Sequence, residues 1–267
     1  KQARRTSAYS GLGVYFVNDV GGDSKFSIRT GGITASGVLP LSKAHSISAG
    51  IQVGYSSRSA DFSRLTFFNQ WDGTQFDPNI DPNEVNGVNS FSHLDAGVGV
   101  AYSYNKDNEN TLSASDLSFQ GGFSIQHLNR PTLRYNSLVD DKLPIKMCIH
   151  ANMRYGLSPE SNIEFSAAQF IQSKYFETIG GLFYRLKMKS ASRVTSFVSD
   201  QYFVIGSYFR STGAIIPCFF IDIGGVTLGV SYDYELGKIA SMYRQSIEVS
   251  LKFNFGKKSI FSSSRMR

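Results

Sequence analysis

The stretch that decides the fold lies near the C-terminal end, where residues 247–255 read IEVSLKFNF. Polar residues stand between apolar ones at every second position, the apolar ones being Ile247, Val249, Leu251, Phe253 and Phe255. Successive side chains of a β-strand point to opposite faces of a sheet. The alternation therefore predicts a strand with one apolar and one polar face.

The same pattern with period two recurs along most of the chain. It is clear over residues 94–104, 145–155 and 226–235. Noisier segments start near Tyr9, Phe26, Ser46, Leu117, Ile163, Phe176, Gln201 and Ile215. This makes about twelve strands, many of them near ten residues long, which is the length that a tilted strand needs to cross a bilayer.

Composition supports an all-β protein. Aromatic residues are 13% of the chain, glycines number 25, and only 18% of residues are charged, below the roughly 25% of ordinary soluble domains. No stretch of about 20 apolar residues is present, which excludes a helical membrane span but not a barrel whose strands expose every second residue to lipid. We predict a transmembrane antiparallel up-and-down β-barrel of about 12 to 14 strands.

One domain accounts for the whole pattern, because composition stays level from end to end. The barrel is expected over residues 1–256, with a long loop at about residues 63–91 and a basic tail at 257–267. No secretory signal is visible at Lys1, so the chain is expected to be a mature or trimmed form. A soluble β-sandwich also alternates and remains an alternative.

Aromatic residues near strand ends are expected to form girdles at the two membrane interfaces, with ordinary core packing as the alternative. They are Tyr55, Tyr102, Tyr104, Tyr155, Tyr232 and Tyr234.

The polar strand faces carry charges of both signs. They are Asp95, Lys146, Arg154, Glu164, Arg185, Lys187, Arg210, Asp222, Asp233, Glu235, Glu248 and Lys252. Two roles are open for them. They could form a paired network that holds the barrel and blocks leakage, or they could line a selective pore.

Several other functions find little support. The net charge of +6 is dispersed, which argues against nucleic acid as a partner. Cys148 and Cys218 have no metal or redox spacing, and two unpaired thiols are favoured over a disulfide. No spacing joins a histidine to a nucleophile and a carboxylate, so no catalytic residue and no cofactor are expected, although a barrel hydrolase could assemble a site across strands.

The long loop carries an acidic run at Asp72, Asp77, Asp81 and Glu84. Its oxygens could bind Ca²⁺, but the spacing fits no defined loop motif and two prolines interrupt it. A solvated acidic loop without a metal is therefore favoured.

The order of the strand and loop motifs resembles the type IX secretion system membrane protein family PorP/SprF of Bacteroidota outer membranes. The similar stretches cover most of the chain at residues 11–13, 18–22, 65–73, 76–77, 91–104, 201–210, 228–234 and 246–251. Members of that family usually begin with a further strand or two, which are missing ahead of Lys1.

The resemblance implies a barrel in the cell outer membrane that anchors or helps export a secreted surface protein, such as an adhesin of gliding bacteria, through its C-terminal sorting domain. Other secretion-system subunits and outer-membrane lipid are the further partners implied. Residues expected to contact the partner are Phe68, Gln70, Trp71, Asp72 and Asp77 in the loop, and Arg154, Arg185 and Arg210 on the polar face. The alternative is an outer-membrane channel or transporter for small solutes or lipids.

Overall fold

The computed structural model describes residues 7–81, 90–106, 117–136, 139–189, 201–237 and 245–254. Its regular structure consists of two short 3-10 turns, Phe62–Arg64 and Phe68–Gln70, and fourteen strands. The strands are β1 Tyr9–Gly21, β2 Phe26–Pro40, β3 His45–Ser59, β4 Ser90–Lys106, β5 Leu117–Gln126, β6 Thr132–Asn136, β7 Val139–Lys142, β8 Lys146–Ser158, β9 Ser161–Gln172, β10 Tyr175–Lys189, β11 Gln201–Arg210, β12 Ala214–Ile223, β13 Val226–Glu235 and β14 Ser246–Phe253. Among the described residues, no helix is long and apolar enough to span a membrane.

Twelve of the strands form one antiparallel sheet in which each strand pairs with the next along the chain. The one interruption falls between β5 and β8, which pair directly while β6 and β7 form a separate hairpin. The predicted all-β, antiparallel, up-and-down fold is confirmed, and the twelve strands of the sheet are the twelve that the alternation predicted. Over the described residues no backbone pairing joins β1 to β14, so the sheet has two edges.

The predicted long loop is found, but both of its ends lie two to three residues earlier than the predicted 63–91. Strand β3 ends at Ser59 and β4 begins at Ser90, so the connection covers residues 60–89. Ser90 and Phe91 pair with Ser59 and Arg58 of β3 and belong to the strand. The predicted basic tail at 257–267 lies outside the described residues.

Alternate connections lie at opposite ends of the sheet. The two longest, residues 60–89 and residues 127–145, lie at the same end, which we call the loop end. The opposite end, which we call the turn end, carries tight connections at residues 41–44, 159–160 and 224–225 and longer ones at residues 107–116 and 190–200, while the loop end also has tight connections at residues 22–25, 173–174 and 211–213.

The register collects apolar side chains on one face of the sheet, the apolar face. Val14, Ile33 and Val53 form one row across β1, β2 and β3, and Phe219, Val230 and Val249 form another across β12, β13 and β14. These side chains are exposed, with Ile33 at 62% and Val230 at 48%. Sandwiches pack such faces against a second sheet, and the described residues provide no second layer, which argues against the soluble sandwich.

All six tyrosines predicted as girdle residues lie on the apolar face, each opposite an apolar or aromatic partner. Tyr55, Tyr232 and Tyr234 lie toward the loop end, whereas Tyr102, Tyr104 and Tyr155 lie toward the turn end. An apolar band between two aromatic belts is the surface that membrane barrels present to lipid.

The opposite, polar face carries many small and polar residues together with a buried apolar cluster around Phe183, Val204 and Cys218, and several of its aromatic rings lie beside glycines. The Tyr15 ring occupies the space beside Gly32 and Gly54, where an added Cβ would come within 2.6 Å of it. The Tyr15 hydroxyl accepts a hydrogen bond of 2.8 Å from the Gln52 amide. Glycines at these positions therefore let a ring cover the backbone without projecting from the face.

Candidate partner-binding site

The described part of the β3–β4 connection, residues 60–81, is held together by one buried side chain. Gln70 is only 6% exposed. Its Oε1 accepts the Phe67 N–H at 3.1 Å, and its Nε2 donates to the Ile80 carbonyl at 3.1 Å. The Asp77 N–H donates to the Gln70 carbonyl at 2.9 Å, so Gln70 joins three points of the loop.

Asp72 and Asp77 form turns within the same loop. One carboxylate oxygen of Asp72 accepts the Thr74 and Gln75 N–H groups at 2.7 and 2.8 Å. These hydrogen bonds, that from Gln75 first, lower the pKa of Asp72 below its ordinary value, because they favour the charged carboxylate. Asp77 accepts from the Asn79 N–H and side-chain amide at 2.9 and 2.8 Å.

Three aromatic side chains of this loop are exposed to solvent. They are Phe68 at 95%, Trp71 at 53% and Phe76 at 42%, and Trp71 and Phe76 are joined by a β-bridge. We call these three residues the aromatic tip. Large aromatic side chains held outward on a fixed backbone are typical anchors of protein–protein interfaces.

The polar face carries a first ionic network near the turn end, formed by Arg154, Glu164, Arg185 and Asp222. Both Arg154 and Arg185 donate through Nε to the same oxygen of Glu164, at 2.7 and 2.6 Å. Arg185 also lies 3.7 Å from Asp222, two strands away, and over the ring of Tyr202.

A second network lies on the polar face near the loop end, where Arg210 is surrounded by three carboxylates. Its guanidinium lies 2.5 Å from Asp233, 3.1 Å from Glu235 and 3.7 Å from Glu177. Ala214, the residue paired with Arg210 on β12, is small and fully buried, so the arginine reaches across β12 to β13. Glu177 was missed from the sequence because its neighbours on the same face of β10, Tyr175 and Ile179, are apolar or aromatic and blur the alternation.

A histidine and an aspartate also meet near the loop end, where His127 Nδ1 lies 2.9 Å from Asp95 Oδ1. Within the described part of the chain, no group of three or more His, Cys, Asp or Glu residues could hold a metal ion. Both cysteines are free.

The eight residues expected to contact a partner fall into three places. Phe68, Gln70, Trp71, Asp72 and Asp77 lie together in the β3–β4 loop. Arg210 lies at the loop end of the polar face, and Arg154 and Arg185 lie together toward its turn end.

Among known protein families, one family model matches this chain over almost its whole length. The model of a family described as type IX secretion system membrane protein PorP/SprF matches residues 2–253. No curated protein sequence matches the chain. Similar solved structures include the crystal structure of the Ralstonia pickettii toluene transporter TbuX, at 8% identity and a TM-score of 0.48, over 88% of this chain and 74% of that one.

Proposed function

Because the chain belongs to the type IX secretion system membrane protein PorP/SprF family, we propose that it is an outer-membrane β-barrel that anchors or helps export a secreted surface protein. The partner is a protein such as an adhesin, held through its C-terminal sorting domain. Other secretion-system subunits and outer-membrane lipid are its further contacts.

The apolar face supports a place in a membrane. In β3 the apolar side chains between the two belts run from Ile47 to Tyr55, a distance of about 26 Å along the strand at roughly 3.3 Å per residue. At a tilt of about 40° this length gives a height of about 20 Å, somewhat less than the roughly 25 Å apolar band of a barrel. In the hydrocarbon core of a membrane every backbone N–H and C=O group needs a hydrogen-bond partner. We therefore propose that the free backbone groups of the two edge strands, β1 and β14, are paired or covered in the membrane.

The loop end is proposed to face the cell exterior. Outer-membrane barrels have short periplasmic turns and longer extracellular loops, and the longest connections here lie at the loop end. Strands β1 to β4 also extend beyond the level of Tyr55 at this end, and most of the residues on the apolar face there are polar, such as Arg29, Ser57 and Ser92, with Val20 as an exception. The polar extension would stand above the lipid and place the β3–β4 loop within reach of a surface protein.

The aromatic tip is the proposed contact with that protein. The observation that carries this assignment is Phe68, which is 95% exposed on a backbone that Gln70, Asp72 and Asp77 hold in place. Gln70 and the two aspartates thus serve the site by fixing its shape, while Phe68 and Trp71 supply apolar contact area. Arg154, Arg185 and Arg210 are proposed as a second contact on the polar face.

The test replaces both Phe68 and Trp71 by serine. Mass spectrometry then measures how much of each surface protein with the sorting domain stays on the cells and how much is released into the medium. Anchors of this kind contribute about 2 kcal/mol or more each. We therefore expect the secreted surface protein, the client of the barrel, to move from the cells to the medium while the barrel keeps its normal abundance.

The matched control is Tyr175→Ser. Tyr175 is 81% exposed at the loop end but lies outside the aromatic tip. Normal retention is expected in this control. Normal retention in the double variant, with the barrel correctly inserted, would reject the aromatic tip as the anchor.

A further inference from the structure

The charges on the polar face of β8 to β14 are separated between the two ends of the sheet. Over the described residues, the turn-end half has four cations and two acids, namely Arg154, Arg185, Lys187, Lys252, Glu164 and Asp222. The loop-end half has two cations and four acids, namely Lys146, Arg210, Glu177, Asp233, Glu235 and Glu248. The turn-end half therefore has an excess of two positive charges and the loop-end half an excess of two negative charges.

At the turn end, the cationic side chains could form an ion pair with a further acidic group. Arg154 and Arg185 share the single carboxylate of Glu164, and the Arg154 side chain is still 48% exposed. Arg154 also borders a recess of about 370 Å³, which Asn152, Ser166 and Tyr208 help to line. A carboxylate entering this recess would find a guanidinium with unused donors.

At the loop end there are too few cationic side chains to pair with the carboxylates. Arg210 is shared by three carboxylates. In the described part of the chain, Asp233 Oδ1 and Glu235 Oε2 are buried without a hydrogen-bond partner. Buried oxygens of this kind normally have a donor, so these two atoms show that acidic groups outnumber their cationic partners at this end.

The distance between Arg210 at the loop end and Arg185 at the turn end could be spanned by a short extended peptide. Arg210 pairs with Ile179 of β10, and Arg185 lies six positions further along the same strand. At about 3.3 Å per residue, this separation is about 20 Å. An extended segment with acidic and basic groups six or seven residues apart would span it.

We propose that this polar face binds an extended polypeptide segment in one direction, with its acidic group at the turn end and its basic group at the loop end. This proposal rests on the proposed function, in that the partner is a protein, and adds the charge pattern and the direction of the segment that the polar face accepts. Complementary charges of this kind fix orientation and register more than they raise affinity.

The test uses the purified full chain in detergent and a synthetic eight-residue peptide with two lysines at one end and two glutamates at the other. A photoreactive group is placed beside the glutamates in one version and beside the lysines in a second version. We expect the first version to label the turn end near Tyr202, and the second to label the loop end near Ile179. Labelling should fall as salt is raised, because screening weakens charge pairs.

The matched variants are Arg154→Gln and Lys106→Gln. Both remove a turn-end cation, but Lys106 lies on the apolar face, opposite Leu117. An exposed ion pair contributes up to about 1 kcal/mol, so we expect about threefold weaker peptide binding for Arg154→Gln and no change for Lys106→Gln.

Three results would overturn the proposal: no peptide binding, equal labelling of both ends by either version, or equal loss of binding in both variants. Each is separable from failure of the proposed function. If the client protein stays anchored to cells but the peptides bind in both orientations, the directional binding is rejected. The proposed anchoring function is not affected by that result.

Discussion

At the scale of single residues, the β3–β4 loop separates residues that shape the site from residues that can contact a partner. Phe68 and Gln70 are two positions apart, yet one is 95% and the other 6% exposed. The sequence predicts a functional loop here but not this division. Burial of Gln70 depends on a hydrogen bond to Ile80, ten positions away, which no local pattern reveals.

Gln70→Ala is expected to loosen the loop. The substitution removes hydrogen bonds to Phe67 and Ile80, and leaving buried groups unpaired costs roughly 1–3 kcal/mol. Amide hydrogen exchange should show faster exchange at Phe67 and Asp77. The matched change Phe68→Ala removes an exposed side chain and should leave these amides protected, and equal loosening in both variants would refute the role of Gln70.

The turn at Asp72 should depend on pH. Its pKa is lowered by hydrogen bonds from Gln75 and Thr74, so the charged form stabilises the turn above the ordinary pKa, and this contribution is lost as pH falls through the lowered value. Exchange of the Gln75 amide, corrected for its intrinsic pH dependence, should lose protection on acidification. In Asp72→Asn that loss should be absent, and a persisting loss would place the pH dependence in another group.

At the scale of elements, the period-two alternation was enough to locate all twelve strands of the sheet and to assign the faces of the four clearest ones. It failed for β6 and β7, which have five and four residues and are too short to display a period. It also could not predict that Arg210 reaches across β12, because that contact depends on the small size of Ala214 on the intervening strand.

Gly32→Ala should destabilise the sheet, because its Cβ would lie 2.6 Å from the Tyr15 ring. Overpacking of this kind typically costs about 1–3 kcal/mol. Gly37→Ala in the same strand is the control, because nothing lies within 4 Å of its added Cβ. Urea unfolding in micelles should show a lower midpoint for Gly32→Ala alone, and equal midpoints would contradict the proposed packing of Tyr15.

A charge on the apolar face should be costly only if that face meets lipid. Val230 lies midway along β13 on the apolar face, and its neighbour Ser231 lies on the polar face opposite Glu248. Val230→Lys should cost about 2–4 kcal/mol, the range for a lysine at the midplane of a barrel. Ser231→Lys should cost little, and similar unfolding free energies for the two variants in lipid would count against a membrane-facing apolar surface.

At the scale of the whole molecule, the two faces of the sheet differ in the way that a membrane protein requires. The apolar face carries two aromatic belts, and the polar face carries paired charges with opposite excess at its two ends. Membership of the PorP/SprF family adds what the alternation alone did not predict, namely that such a sheet serves type IX secretion.

The most direct test of the proposed role is affinity purification of the detergent-solubilised chain from the membranes of its native cells, followed by mass spectrometry of the proteins that accompany it. We expect a stoichiometric surface protein bearing a C-terminal sorting domain, together with other secretion-system subunits. An isolated barrel that conducts ions in planar bilayers would contradict the account and support a channel or transporter.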